Sequence, residues 1–123
     1  MAYQTRLAEG VFRVSFLEVV TNQDLARLLD EVTRLEGGWT VIPDRLVDMR
    51  QIERLEIDVT GVLSLAHSRR HRTFPNSFKT AIIATQTVHV GFARMFQTLN
   101  DHPQIAVSIF GDDAEAMRWL GGG

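Results

Sequence analysis

The chain has 123 residues, 45% of them hydrophobic and 23% charged, with a formal net charge of -2 and no cysteine. Those values fit one globular domain with its own core, and they exclude a disulfide scaffold, a thiol nucleophile and a thiolate zinc site. The even charge balance argues against a disordered tail and a basic nucleic-acid binder. The start, Met1-Ala2-Tyr3-Gln4-Thr5-Arg6, lacks a signal-peptide layout, so a cytoplasmic protein is expected.

The first segment reads as a hairpin. Glu9-Gly10 is a turn signal, and residues 11–19 alternate, with Phe12, Val14 and Phe16 on one face and Arg13 and Ser15 on the other. A helix follows. Thr21 and Asp24 have capping-box spacing, Leu25, Leu28, Leu29 and Val32 form its apolar stripe, and Gly37-Gly38 stops it. Leu46-Val47-Asp48-Met49 reads as a short strand with Asp48 at its end, and Ile52 and Leu55 sit in the loop after it. Asp58 then caps a second helix with Val59, Val62, Leu63 and Ala66 inward. That helix ends in His67-Ser68-Arg69-Arg70-His71-Arg72, where cations suit the negative end of the helix dipole.

Phe74-Pro75-Asn76-Ser77 breaks the pattern before a strand around Ala81-Ile82-Ile83-Ala84. A third helix carries Phe92, Met95, Phe96 and Leu99 and ends near Asn100. Residues 105–110 are almost uninterruptedly apolar, as in a central strand covered on both faces. Asp112 and Glu115 open a last short helix that closes at Trp119-Leu120. Strands alternate with helices throughout. The order predicts an α/β domain over residues 1–120, with a mixed, mostly parallel sheet of about five strands and about four helices, and a flexible tail over 121–123.

A search for catalytic patterns finds none. There is no phosphate-cradling glycine loop, no dinucleotide fingerprint and no nucleophile elbow. His67 and His71 have a metal-compatible helical spacing, but Arg69, Arg70 and Arg72 surround them and repel a cation. No catalytic residue, metal site or cofactor is therefore expected. Asp48 reads as an acceptor that orders a loop rather than as an acid or base.

The stretch Ile57-Asp58-Val59-Thr60-Gly61-Val62-Leu63 resembles the STAS family of anti-sigma-factor antagonists, which carry Asp-Ser-[Ser/Thr]-Gly-Leu at this place. The ending Glu115-Ala116-Met117-Arg118-Trp119-Leu120 is similar to the Glu-Ala-x-x-Trp-Leu close of the SpoIIAA-like branch of that family. The resemblance extends in element order and length over nearly the whole chain. It implies a STAS-like fold and a non-catalytic regulatory or binding module that works through a protein partner. Asp48, Asp58, Thr60 and Gly61 would form the partner or switch region. In classical members the serine after the aspartate is phosphorylated; here that position is Val59, which has no hydroxyl, so phosphorylation control is not carried over.

The SpoIIAA-like branch is also compared with CRAL-TRIO lipid-binding domains. That comparison implies an alternative reading: a membrane-associated carrier or sensor of an apolar ligand. Two stretches fit it. Arg69, Arg70, Arg72 and Lys79 interleave with Phe74 and Phe78 and would meet an anionic surface or ligand if they project together; otherwise they form a solvated helix end whose phenylalanines turn inward. Phe92, Met95 and Phe96 give a face for a core, a ligand cleft or a homodimer. A closed apolar cleft between the third helix and the sheet favours the carrier. A flat surface around Asp58 and Thr60 favours the protein partner.

Overall fold

A computed structural model describes residues 2–121. The elements follow in the order β1 (Tyr3–Ala8), β2 (Val11–Thr21), α1 (Asn22–Gly38), β3 (Asp44–Glu56), α2 (Val59–Arg70), β4 (Phe78–Ile83), α3 (Thr87–Leu99), β5 (Ile105–Phe110) and α4 (Asp113–Leu120). The strands lie side by side in chain order. β1 is antiparallel to β2, and every later pairing is parallel. The expected class, a mixed and mostly parallel α/β sheet with an N-terminal hairpin, is the one observed.

Local chemistry explains the punctuation. Glu9 and Gly10 both have positive φ, 56° and 77°, which makes the two-residue turn whose twist suits a hairpin. Thr21 and Asp24 cap α1 reciprocally, each backbone N–H bonded to the other's side chain. Asp58 accepts the Gly61 N–H at 3.0 Å, and Asp112 accepts that of Glu115 at 2.8 Å. Each cap satisfies a helix N–H that has no partner within its own helix.

Topology decides where the helices go. Each parallel crossover steps to the next strand in one direction, so right-handed connections put α1, α2 and α3 on one face of the sheet. Side-chain alternation agrees. Phe12, Val14 and Phe16 of β2, Val47 and Met49 of β3, Phe78 and Ile82 of β4, and Ile105 and Val107 of β5 point to those helices. On the other face Leu46, Ala81 and Ile83 pack against Ala116 and Leu120 of α4.

Three expectations are corrected. β3 is not the short segment 46–49 but runs to Glu56, because residues beyond Asp48 keep pairing with β2 across two register shifts. Of β3 only Arg45, Leu46, Val47 and Asp48 pair with β4; Asp48 sits mid-strand, and Ile52 and Leu55 are strand residues. In α2, Val59 and Leu63 point outward, at 52% and 46% exposure, while Val62, Ala66 and Arg69 are buried. β5 is an edge strand rather than a central one. Its apolar run is half-buried between α3 on one side and α4 on the other. The Gly121 N–H bonds to Met117 O and closes α4; residues 122–123 of the expected tail lie outside the described residues. Among the described residues no helix is long and apolar enough to cross a membrane.

Candidate ligand-binding cleft

Between the sheet and the three helices of its larger layer lies a cleft of about 150 Å³. Its walls are apolar: Val14, Phe16, Val47 and Ile82 come from the sheet, Leu25 and Leu28 from α1, and Phe92 and Phe96 from α3. The amphipathic stripes read from the sequence build this space. They face the sheet without filling it, and Phe92, Met95 and Phe96 stay half-buried.

One end of the cleft is charged. Arg45 of β3 and Arg69 of α2 both line it, and both are buried. Glu36, near the end of α1, sits between them with no exposed side-chain surface. Its Oε2 accepts from Arg45 Nη2 at 2.7 Å and from Arg69 Nη2 at 2.6 Å, and its Oε1 accepts from Arg69 Nη1 at 2.8 Å. Arg72 approaches Oε1 at 3.6 Å. Aromatic faces hold the guanidinium groups in place: Arg45 lies over Phe78, and Arg69 and Arg72 over Phe74. Burial works to raise the Glu36 carboxyl, but the hydrogen bonds and charge of Arg69 and Arg45 outweigh it and hold Glu36 below the usual carboxylate range. Burial, reinforced by the charge of Arg69, presses Arg45 from 12.5 down to about 10, so it stays cationic at neutral pH.

The nest is not fully paired. Arg45 Nε is buried with no hydrogen-bond partner, and so is Asn100 Oδ1, and both residues line the cleft. Asn100 caps α3, and its amide nitrogen donates to Ile105 O.

Of the two readings of the basic and aromatic stretch, the inward one holds for the phenylalanines, and Arg69 goes with them instead of staying solvated. Arg69 and Phe74 are 5% exposed and Phe78 is 4% exposed, because Glu36 draws the arginine inward and the two rings pack edge to face beneath it. Lys79 is on the other face of the sheet, donating to Trp119 O and lying over the Trp119 ring. Arg70 is exposed and Arg72 half-buried, so the four cations do not project together.

The expected switch region is also divided. Asp48 lies on the α4 side, held by Arg50 Nε at 3.0 Å, Arg50 Nη2 at 2.9 Å and Arg13 Nη2 at 3.3 Å. Arg13 bridges on to Asp113 at 2.6 Å. Burial raises the Asp48 carboxyl, yet its hydrogen bonds from Arg50 prevail and lower it overall. Asp58, Val59 and Thr60 are exposed at the start of α2, on the opposite layer. Asp58 accepts from Asn22 Nδ2 at 3.1 Å. The Gly61 N–H bond to Asp58, with help from Asn22, keeps the Asp58 carboxyl below its ordinary value. A Cβ at Gly61 would come within 2.1 Å of Asn22 Oδ1, so a side chain here would displace Asn22 from Asp58. The His67 and His71 rings stack edge to face on the exposed side of α2. Among the described residues no group of three or more His, Asp or Glu is arranged to hold a metal ion.

Glu36, Arg45 and Asn100 were not singled out by sequence. Strand parity carries a signal for one of them. Arg45 shares its face with Val47 and Met49, and a charge on the core face of a strand needs a partner.

No protein-family model and no curated protein matches the chain. Among solved structures it is similar to an uncharacterized protein of the DUF3478 family with a SpoIIAA-like fold, from Shewanella loihica PV-4. The TM-score is 0.61 at 17% sequence identity, covering 97% of this chain and 92% of that one. The fold is SpoIIAA-like.

Proposed function

We propose that this SpoIIAA-like chain is a non-catalytic binding module whose ligand is a small apolar molecule held between α1–α3 and the sheet. The observation that carries this reading is the cleft itself: about 150 Å³ of apolar-walled space in an interior that otherwise packs densely. Cavities of this kind accept a ring or a short hydrocarbon, because filling them restores lost dispersion contacts. Among the described residues the acids of the two charged clusters are committed to arginines. Asp48 is tied to Arg13 and Arg50, and Glu36 to Arg45 and Arg69.

Titration with toluene, followed by methyl NMR, tests the reading. The expected result is a saturable shift of the methyl signals of Val14, Leu28, Val62, Ile82 and Ile105, lost in Ala93→Leu, where the added methyls occupy the cleft. If no lining methyl moves at toluene saturation, the ligand-binding reading falls. A second reading, docking of a protein partner on α2, has one observation in its favour. Val59 and Leu63, four residues apart, form an exposed apolar step beside Asp58 and Thr60.

A further inference from the structure

We infer that the cleft selects a carboxylate: a small monoanion with an apolar body of one ring or about six to seven carbons, its head group bound by Arg45. The inference rests on the ligand-binding reading of the cleft and names the chemistry of its occupant.

The first observation is an unused donor. Arg45 is 7% exposed, lines the cleft, and has its Nε–H without a partner. Buried guanidinium donors are almost always satisfied, and a ligand oxygen reaching Arg45 from the cleft would satisfy this one. The second is charge. Arg45, Arg69 and Arg72 converge on one carboxylate, Glu36. The next acid acting on Arg45 is Asp44, whose Oδ1 is occupied by the Lys79 N–H. Counting Asp44, the nest keeps one positive charge in excess, carried by the partly exposed Arg72 at its edge, and an anion beside it gains from that charge.

The third observation is that the nest already holds a carboxylate. Glu36 is bound by the fork of Arg69 and by Arg45 from the side. One free donor and one surplus charge fit a second carboxylate better than a phosphate, which brings further charge and a third oxygen. Size sets the body. At about 150 Å³ the cleft suits a benzene-sized group and is too small for a membrane lipid's chains. Asn100 Oδ1, also unpartnered on the wall, is an acceptor and suits a hydroxyl or a water, so the anion depends on Arg45.

The test compares heptanoate, 1-heptanol and heptylammonium on the intact protein, by NMR titration. Heptanoate is expected to bind at least about tenfold more tightly than the alcohol, with heptylammonium weakest. The Arg45 Nε–H signal should move downfield with heptanoate alone. Arg45→Gln should lose the preference for the anion and still take toluene. If that variant does not fold, the wild-type Nε–H signal decides. Heptanol binding as tightly as heptanoate overturns the carboxylate inference and leaves the cleft a binding site. Failure of toluene to bind removes the underlying reading instead. Hexadecanoate binding as tightly as heptanoate overturns the size limit.

Discussion

The two faces of the sheet solve the same problem differently. Under α4, Leu46, Ala81, Ile83, Ala116 and Leu120 close the layer with buried aliphatic side chains, the first four of them fully buried. The charges beside it balance, two arginines (Arg13 and Arg50) against two aspartates (Asp48 and Asp113), and the arginines keep about a third of their side-chain surface in water. Under α1, α2 and α3 the packing leaves a cleft, and at its end Arg45, Arg69 and Glu36 are out of solvent, with Arg72 adding a third cation that water reaches. A close-packed, charge-neutral face has no chemistry left over. A face with void, surplus cation and an unpaired donor does, and uncompensated features of this kind accumulate where a protein binds something.

The largest test of this contrast removes one acid from each face. Glu36→Gln leaves Arg45 and Arg69 buried without their anion, a change that costs about 3–5 kcal/mol when one partner of a buried pair is lost. Asp48→Asn leaves arginines that water already reaches, and should cost about 1–2 kcal/mol. Urea unfolding of both variants against the parent measures the difference. Equal costs would mean that the two clusters are energetically alike, and the contrast would break.

Sequence reasoning was strongest where the determinant was local. The caps at Thr21, Asp58 and Asp112 and the turn at Glu9-Gly10 were legible because a few adjacent residues decide each of them. It failed where a distant partner decides. Arg69 looked like a solvated helix end, but its partner Glu36 lies 33 residues earlier. Phe74 and Phe78 follow that arginine inward. The strand residues after Asp48 looked like loop because Arg50, Gln51, Glu53 and Arg54 are polar, yet a long β2 continues to supply backbone partners there. The apolar run of β5 fitted a central strand by composition; being last in a sheet that grows in chain order leaves it at the edge. The cleft was legible only as an alternative, since the stripe that lines a void is the same stripe that fills a core.

A second comparison probes packing rather than charge. Ala81 is fully buried against the α4 layer, so Ala81→Leu has no room and should cost about 1–3 kcal/mol. Ala93 is equally buried by area but lines the cleft. Ala93→Leu should shift stability by no more than about 1 kcal/mol, and upward where the new methyls replace empty space. Melting temperatures of the two variants decide it. A large loss at Ala93 would show that the space does not accept atoms.

The smallest effect expected is the acid response, because protonation removes charge but leaves each carboxyl in place to accept hydrogen bonds. Glu36 and Asp48 are both held below their ordinary values of 4.5 and 3.8. In both cases burial opposes ionisation and the arginine contacts overcome it. A carboxyl that is more acidic folded than unfolded adds stability above its unfolded pKa, and that stability disappears as pH falls through the folded pKa. Both contributions are therefore complete at neutral pH and shrink below about pH 4.5, with Glu36 the first to decline because its unfolded value is higher. Stability measured by urea from pH 7 to pH 3 should fall steeply only in that window. Glu36→Gln should flatten the upper part of the fall and Asp48→Asn the lower part. Added salt should weaken the Asp48 share, whose arginine partners water and ions reach, and leave the Glu36 share nearly unchanged. A Glu36 share that salt screens as readily as that of Asp48 would place the buried nest in contact with solvent and erase the electrostatic half of the contrast.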